Sequence, residues 1–201
     1  VAVGANALDA NTTGANNVAM GFTAVSANTS GGELVGIGNG ALFTNTTGGF
    51  NVAVGSAALQ LNTTGASNTA VGRFTLRQNT TANNNTAVGR SALTANTTGA
   101  DNNAFGVETL VANTTGYENT GLGGGAAIQT TTGIRNTALG RLALQSNTSG
   151  NYNIGLGYNA ASTSATAGGQ CTLGDSNISN LRCNDQSISA LSDSRDKTDV
   201  I

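Results

Sequence analysis

Residues able to do chemistry are scarce and scattered in this sequence. It contains no histidine, which removes His-activated nucleophiles, His metal sites and a simple imidazole pH switch. The carboxylates Glu33, Asp101, Glu108 and Glu118 are sparse, whereas most glycosidases need a pair roughly 5–9.5 Å apart. Only Asp9 and Asp101 occur as aspartates along the first 160 residues, and calcium-binding solenoids need them in each turn. Gly123-Gly124-Gly125 lacks the Lys-Ser/Thr that would hold a phosphate. Cys171 and Cys183 are too few for a disulfide framework or a zinc set. Cys183 pairing with Cys171, or meeting its own copies near a molecular axis, stays open. We expect no cofactor and no metal. Charge concentrates only at the end, in Asp193, Arg195, Asp196, Lys197 and Asp199.

The remaining composition narrows the partners. Eight basic against ten acidic side chains give a net charge of −2, and charged residues are 9% of the chain, against about 25% in an average soluble domain. With no basic patch, neither nucleic acid nor an anionic membrane is an expected partner. No apolar run approaches the ~20 residues of a membrane span, so no membrane insertion is expected. Aromatic residues make up 4%, and proline and tryptophan are absent, so a core of large rings is excluded.

What positions the few reactive groups is a repeat. Glycines fall at 4, 21, 38, 55, 72, 89, 106, 123, 140 and 157, a strict period of 17, with Gly174 as a degenerate eleventh copy. A period held without insertion indicates stacked units. The residue before each marker glycine is large and apolar, as in Val54, Val71, Val88 and Phe105. Two before it stands only Ala or Gly until Thr172, and three before it mostly Val, Ile or Thr. This reads as a short alternating strand. Four after the glycine, Leu59, Leu76 and Leu93 mark a second inward position, on a second strand or a turn. Asn-Thr-Thr-Gly then makes a turn, because Asn and Thr side chains bond nearby backbone and Gly accepts positive φ. Arg73 and Arg90, at freely varying positions, belong outside.

The expected fold is therefore all-β. It is a parallel β-solenoid, or β-roll, of about ten 17-residue coils over residues 1–160, each with two short strands, rising on the order of 50 Å. We expect Val54, Val71, Val88, Phe105, Leu59 and Leu93 to form buried stacked columns. The Ala/Gly column implies close approach between sheets or chains, and a thin core calls for partners, so a homotrimer is expected. Residues 161–191 read as a transition to a narrower or intertwined β segment, with Cys171 as a small core residue. Residues 192–201 differ from all that precedes them.

Asn-Thr-Ala-Val-Gly, at Asn68–Gly72 and Asn85–Gly89, resembles the head repeat of trimeric autotransporter adhesins, whose heads are trimeric left-handed parallel β-rolls with a repeat usually shorter than 17. The longer unit, through Ala-Leu-x-x-Asn-Thr-Thr-Gly, resembles repeats of bacteriophage tail fibres. The ending Leu191-Ser192-Asp193-Ser194-Arg195-Asp196-Lys197 resembles the junction where phage tail fibres and tailspikes pass into an endosialidase-type intramolecular chaperone, a domain that drives trimer folding and then cuts itself off. That resemblance implies Ser192 as nucleophile, Lys197 as its general base and the bond to Asp193 as the one cut; a lysine of lowered pKa can serve as base. It also implies that the chain ends just inside the chaperone domain.

The function expected on these grounds is a homotrimeric tail-fibre rod of the virion that attaches to a host cell-surface receptor or glycan. No enzyme is expected, self-cleavage aside. The first alternative is a bacterial trimeric surface adhesin located on the cell surface. The second is an ice-binding ladder made by the Thr columns at Thr12, Thr29, Thr46 and Thr13, Ser30, Thr47, which turn formation also explains. Phe22, Phe43, Phe74, Tyr117, Tyr152 and Tyr158 lie at outward positions from which rings could stack on sugars.

Overall fold

A computed structural model describes residues 1–179 of the chain. One residue triplet per repeat is extended. The first strands are β1 (Ala2–Val3), β2 (Val18–Met20), β3 (Val35–Ile37), β4 (Val52–Val54), β5 (Thr69–Val71) and β6 (Thr86–Val88). They continue as β7 (Asn103–Phe105), β8 (Thr120–Leu122), β9 (Thr137–Leu139), β10 (Ile154–Leu156) and β11 (Cys171–Leu173). All are parallel and stack in chain order as one 11-stranded sheet. Every residue pairs with its equivalent one repeat on, as Ala70 with Ala87 and Val71 with Val88. The protein is a parallel β-solenoid.

Each coil carries one strand, where two were expected. The segment after the marker glycine cannot be extended, because Phe74 (φ 61°) and Leu76 (φ 49°) are left-handed, as is Asn84 (φ 59°) farther round the coil. Their equivalents in the other coils share this conformation, except Ala161 at the Leu76 place of the last coil. A left-handed non-glycine residue costs on the order of 1 kcal/mol or more. It persists because the bends point backbone groups along the stack, where each finds a partner in an adjacent coil: Leu76 N–H donates to Ala92 O of the next coil at 3.0 Å and Phe74 N–H to Ser56 O of the preceding one at 3.0 Å. The marker glycine is more constrained. Gly72 has φ 131°, and a β-carbon there would lie 2.7 Å from the carbonyl oxygen of Gly89.

The interior is thin and contains two kinds of column. Leu42, Leu59, Leu76, Leu93, Leu110 and Leu144 are fully buried one above another. The Ala/Gly column, including Ala53, Ala70, Ala87 and Ala104, faces them and is also fully buried. A β-carbon on Gly36 would collide with Val25, one on Gly121 with Thr109, and one on Gly155 with Leu144. The close approach inferred from this column is thus made inside one coil, against the leucine side, and not between chains.

That arrangement turns the neighbouring column outward. Val54, Val71 and Val88 are half-buried and Phe105 is 39% exposed, so these four are not the buried column expected of them. Alternation along a strand sends Ala70 in, and Thr69 and Val71 must then point out. Cys171 follows the same rule: it sits above Ile154 on the outer face and is exposed, not a core residue. Arg73 and Arg90 are exposed. The stack also continues beyond residue 160, since Ile154 N–H donates to Gln170 O at 2.7 Å and β11 keeps register with β10.

Two buried asparagine ladders complete the interior. In the first, Asn62 Nδ2 donates to Asn45 Oδ1 at 2.7 Å and to Gly65 O at 2.9 Å, and Asn79 repeats the pattern onto Asn62. In the second, Asn85 N–H donates to Asn68 Oδ1 at 3.0 Å, while Asn85 Nδ2 reaches Gly99 O at 2.9 Å. A buried amide is costly without partners; here the neighbouring coil supplies them. Asparagine at two fixed phases was the available signal, and treating it only as a turn former missed it.

Candidate functional site

Three surfaces of the solenoid carry groups that can engage a partner. The first is the outward strand face. Met20, Phe105, Leu122, Leu139, Ile154 and Leu173 are 39–48% exposed along it. Eleven strands at ~4.8 Å, each about 10 Å long, make a strip of roughly 500 Å². One outward column, from Met20 to Leu173, is apolar throughout, whereas the other carries Thr69, Thr86, Asn103, Thr120 and Thr137, so about half of the strip is apolar, an area that single proteins also expose.

The second surface flanks the N-terminal side of the strands. Glu118, Arg135 and Tyr152 occupy one column on successive coils, and the left-handed backbone at each aims its side chain outward. Arg135 donates from Nε to Glu118 Oε2 at 2.6 Å and from Nη1 to Tyr152 Oη at 2.7 Å. Its guanidinium lies 6.0 Å from the Tyr117 ring centroid and 5.5 Å from that of Tyr152. The arginine hydrogen bond lowers the Glu118 pKa, and Glu118 and Tyr152 raise that of Arg135. Asp101 stands in this column one coil before Glu118, a relation the sequence reading overlooked, but Glu118 turns to Arg135. The donors of Arg135 are largely committed, so this cluster is a braced surface.

The third surface lies on the C-terminal side of the strands. Arg73 and Arg77 stand over Phe74 at 4.2 and 5.4 Å from its ring centroid. Arg90 bonds Glu108 Oε1 at 2.7 Å. The next coil interrupts this row, because Gly124 and Gly125 stand where the coils on either side carry Val107 and Glu108, and Arg141 and Leu142. The result is an open notch of about 240 Å³ over Gly124, with the Leu142 side chain lying across Gly125. Its floor is held by Gly125 N–H to Val107 O at 3.0 Å and Leu142 N–H to Gly124 O at 3.1 Å.

The threonine columns divide by role. Thr46 Oγ1 donates to Thr63 O at 3.0 Å and Thr63 Oγ1 to Thr80 O at 3.0 Å, and Thr12 and Thr29 behave alike. Those hydroxyls bind the next turn. Thr13, Ser30 and Thr47 are exposed. Of the ring-bearing positions, Phe22, Tyr152 and Tyr158 are more than half exposed and Phe43 and Tyr117 slightly over a third; Phe74 is half-buried beneath its arginines. Ser192, Lys197, the bond to Asp193 and Cys183 lie outside the described residues. No protein-family model matches the chain, and no curated protein or solved structure matches it at a significant level.

Proposed function

We propose that the chain is the shaft of a homotrimeric attachment fibre of the phage tail-fibre type, carried on the virion and directed at a host cell-surface receptor or glycan. The observation that carries this reading is the apolar strip on the outer strand face. It runs the length of the stack as one unbroken apolar column in exact register, and meeting the same column of further copies would take it out of water. Three copies meeting through these strips would bury Val54, Val71, Val88 and Phe105 between chains. The number three comes from the resemblance to trimeric adhesin heads, and the tail-fibre assignment from the longer repeat and the Ser-Asp-x-Arg-x-Lys ending.

Sedimentation analysis of the wild type tests assembly, and a trimer is expected. Val71→Glu with Val88→Glu should yield a folded species of one third the mass, because both side chains point outward in a single coil stack. A wild-type monomer with a stable fold overturns the trimer. In a version carrying the downstream region, Ser192→Ala and Lys197→Ala should each prevent release of the C-terminal piece, read as chain mass. Release at the wild-type rate in both removes the self-cleavage assignment.

A further inference from the structure

The notch over Gly124 has the chemistry of a small, specific ligand site. Val107, Ile128 and Leu142 give it an aliphatic wall, and Glu108 and Arg141 stand at its rims. Glu108 Oε1 accepts from Arg90, leaving Oε2 able to accept a further hydrogen bond. Arg141 makes no ion pair among the described residues, and its guanidinium lies 5.8 Å from the Tyr158 ring centroid. A volume of about 240 Å³ is below the ~300 Å³ at which drug-sized pockets begin, so one ring fits and a longer segment does not.

We propose that this notch binds one carboxylate-bearing pyranose, of the hexuronic acid type, within a surface glycan. The C–H face of the ring lies on the aliphatic wall, the carboxylate meets Arg141, and a ring hydroxyl donates to Glu108 Oε2. A bare phosphate or sulfate would leave the wall unused and would face the Glu108 carboxylate. A hydrocarbon would bury the rim charges without partners. The same coil departs from the repeat inside as well, with Ala127 for leucine and Thr130 for asparagine, and local departures from consistency are expected where function is placed. The inference rests on the attachment reading for its biological setting, but not for its chemistry.

The test is titration of the isotopically labelled 201-residue chain with methyl β-D-glucuronide and, as neutral control, methyl β-D-glucoside. Saturable amide shifts are expected at Val107, Gly124, Gly125, Ile128 and Leu142, with the glucoside about tenfold weaker, the worth of one charge-assisted hydrogen bond. Arg141→Gln should make the two glycosides equal. Gly124→Leu should abolish both, and it leaves the coil intact, because a β-carbon there meets only Val107 O at 3.8 Å. Absence of saturable shifts, equal binding of both glycosides by the wild type, or undiminished binding by Gly124→Leu overturns the proposal. Labelling of bacteria that display a glucuronic acid capsule separates it from attachment. Glycoside binding without cell labelling keeps the notch and counts against attachment. Cell labelling that Gly124→Leu leaves unchanged keeps attachment and removes the notch as its contact.

Discussion

The coil from Gly72 to Val88 and the coil from Gly123 to Leu139 have the same length, strand register and backbone bends, yet opposite content. In the first, Leu76 fills the interior and Asn79 joins the ladder on both sides, at 2.8 Å to Asn62 Oδ1 and 3.0 Å from Asn96 Nδ2. The second has Ala127 in the leucine place. Its Thr130 turns its hydroxyl to Asn147 O at 3.1 Å, so Asn113 Oδ1 is buried with no partner. Outside, the first coil carries Arg73, Phe74 and Arg77, and the second carries two glycines and a notch. A coil can depart from the repeat because its neighbours hold it in register; even the coil after Gly157, which lacks the left-handed bend at Ala161, keeps its length of 17 residues. In a stack, stability comes from coil and interface terms together, and a weak coil survives between strong ones.

Both coils should be equally intolerant at the marker glycine. Gly72→Ala and Gly123→Ala should each cost about 4 kcal/mol or more, since each combines a forbidden φ with a backbone collision. Denaturant titration checks this, and a harmless Gly123→Ala would mean that the second coil is not held as the first is. The next largest effect belongs to the leucine column. Leu76→Ala should destabilise by about 3 kcal/mol, transfer loss and cavity together, making the first coil resemble the second in thermal melts.

The asparagine ladder offers a reciprocal exchange of smaller size. Thr130→Asn should stabilise by about 1 kcal/mol by giving Asn113 Oδ1 a donor, and Asn79→Thr should cost about as much or more by orphaning Asn62 Oδ1. Equal stability of both variants and wild type would show that the ladder contributes nothing net. Smallest is the pH effect at Glu118. Its carboxyl is held below the usual value by Arg135, so its contribution is complete above the ordinary glutamate pKa and fades as pH falls through the lowered folded value. Because the pair is exposed, melting temperatures of wild type and Glu118→Gln should differ slightly at pH 7 and converge in acid. A gap that widens in acid would contradict the pairing.

Much of this architecture was legible because the repeat is a physical ruler. Seventeen residues per coil, a marker glycine and a three-residue alternating triplet dictate parallel strands in exact register, as Val71 on Val88. Other features escaped for identifiable reasons. Leu76 signals an inward position, but not that it is reached by a left-handed bend rather than a strand, because propensity does not favour that conformation for leucine. Asn62 and Asn79 look like surface turn residues until adjacent coils supply their partners. The notch is invisible in sequence, because Gly123-Gly124-Gly125 contains no reactive group; only the coils on either side give it walls and rims.

The sequence by itself determined the period, the parallel register and the positions that admit no β-carbon, because these are local steric facts repeated coil after coil. Alternation also established that Ala70 and Val71 face opposite ways. Which of the two faces inward was decided only by the tertiary structure. Leucines swung in from the far side by left-handed backbone fill the interior so completely that nothing larger than alanine fits opposite, and the valines are left to cover the outside.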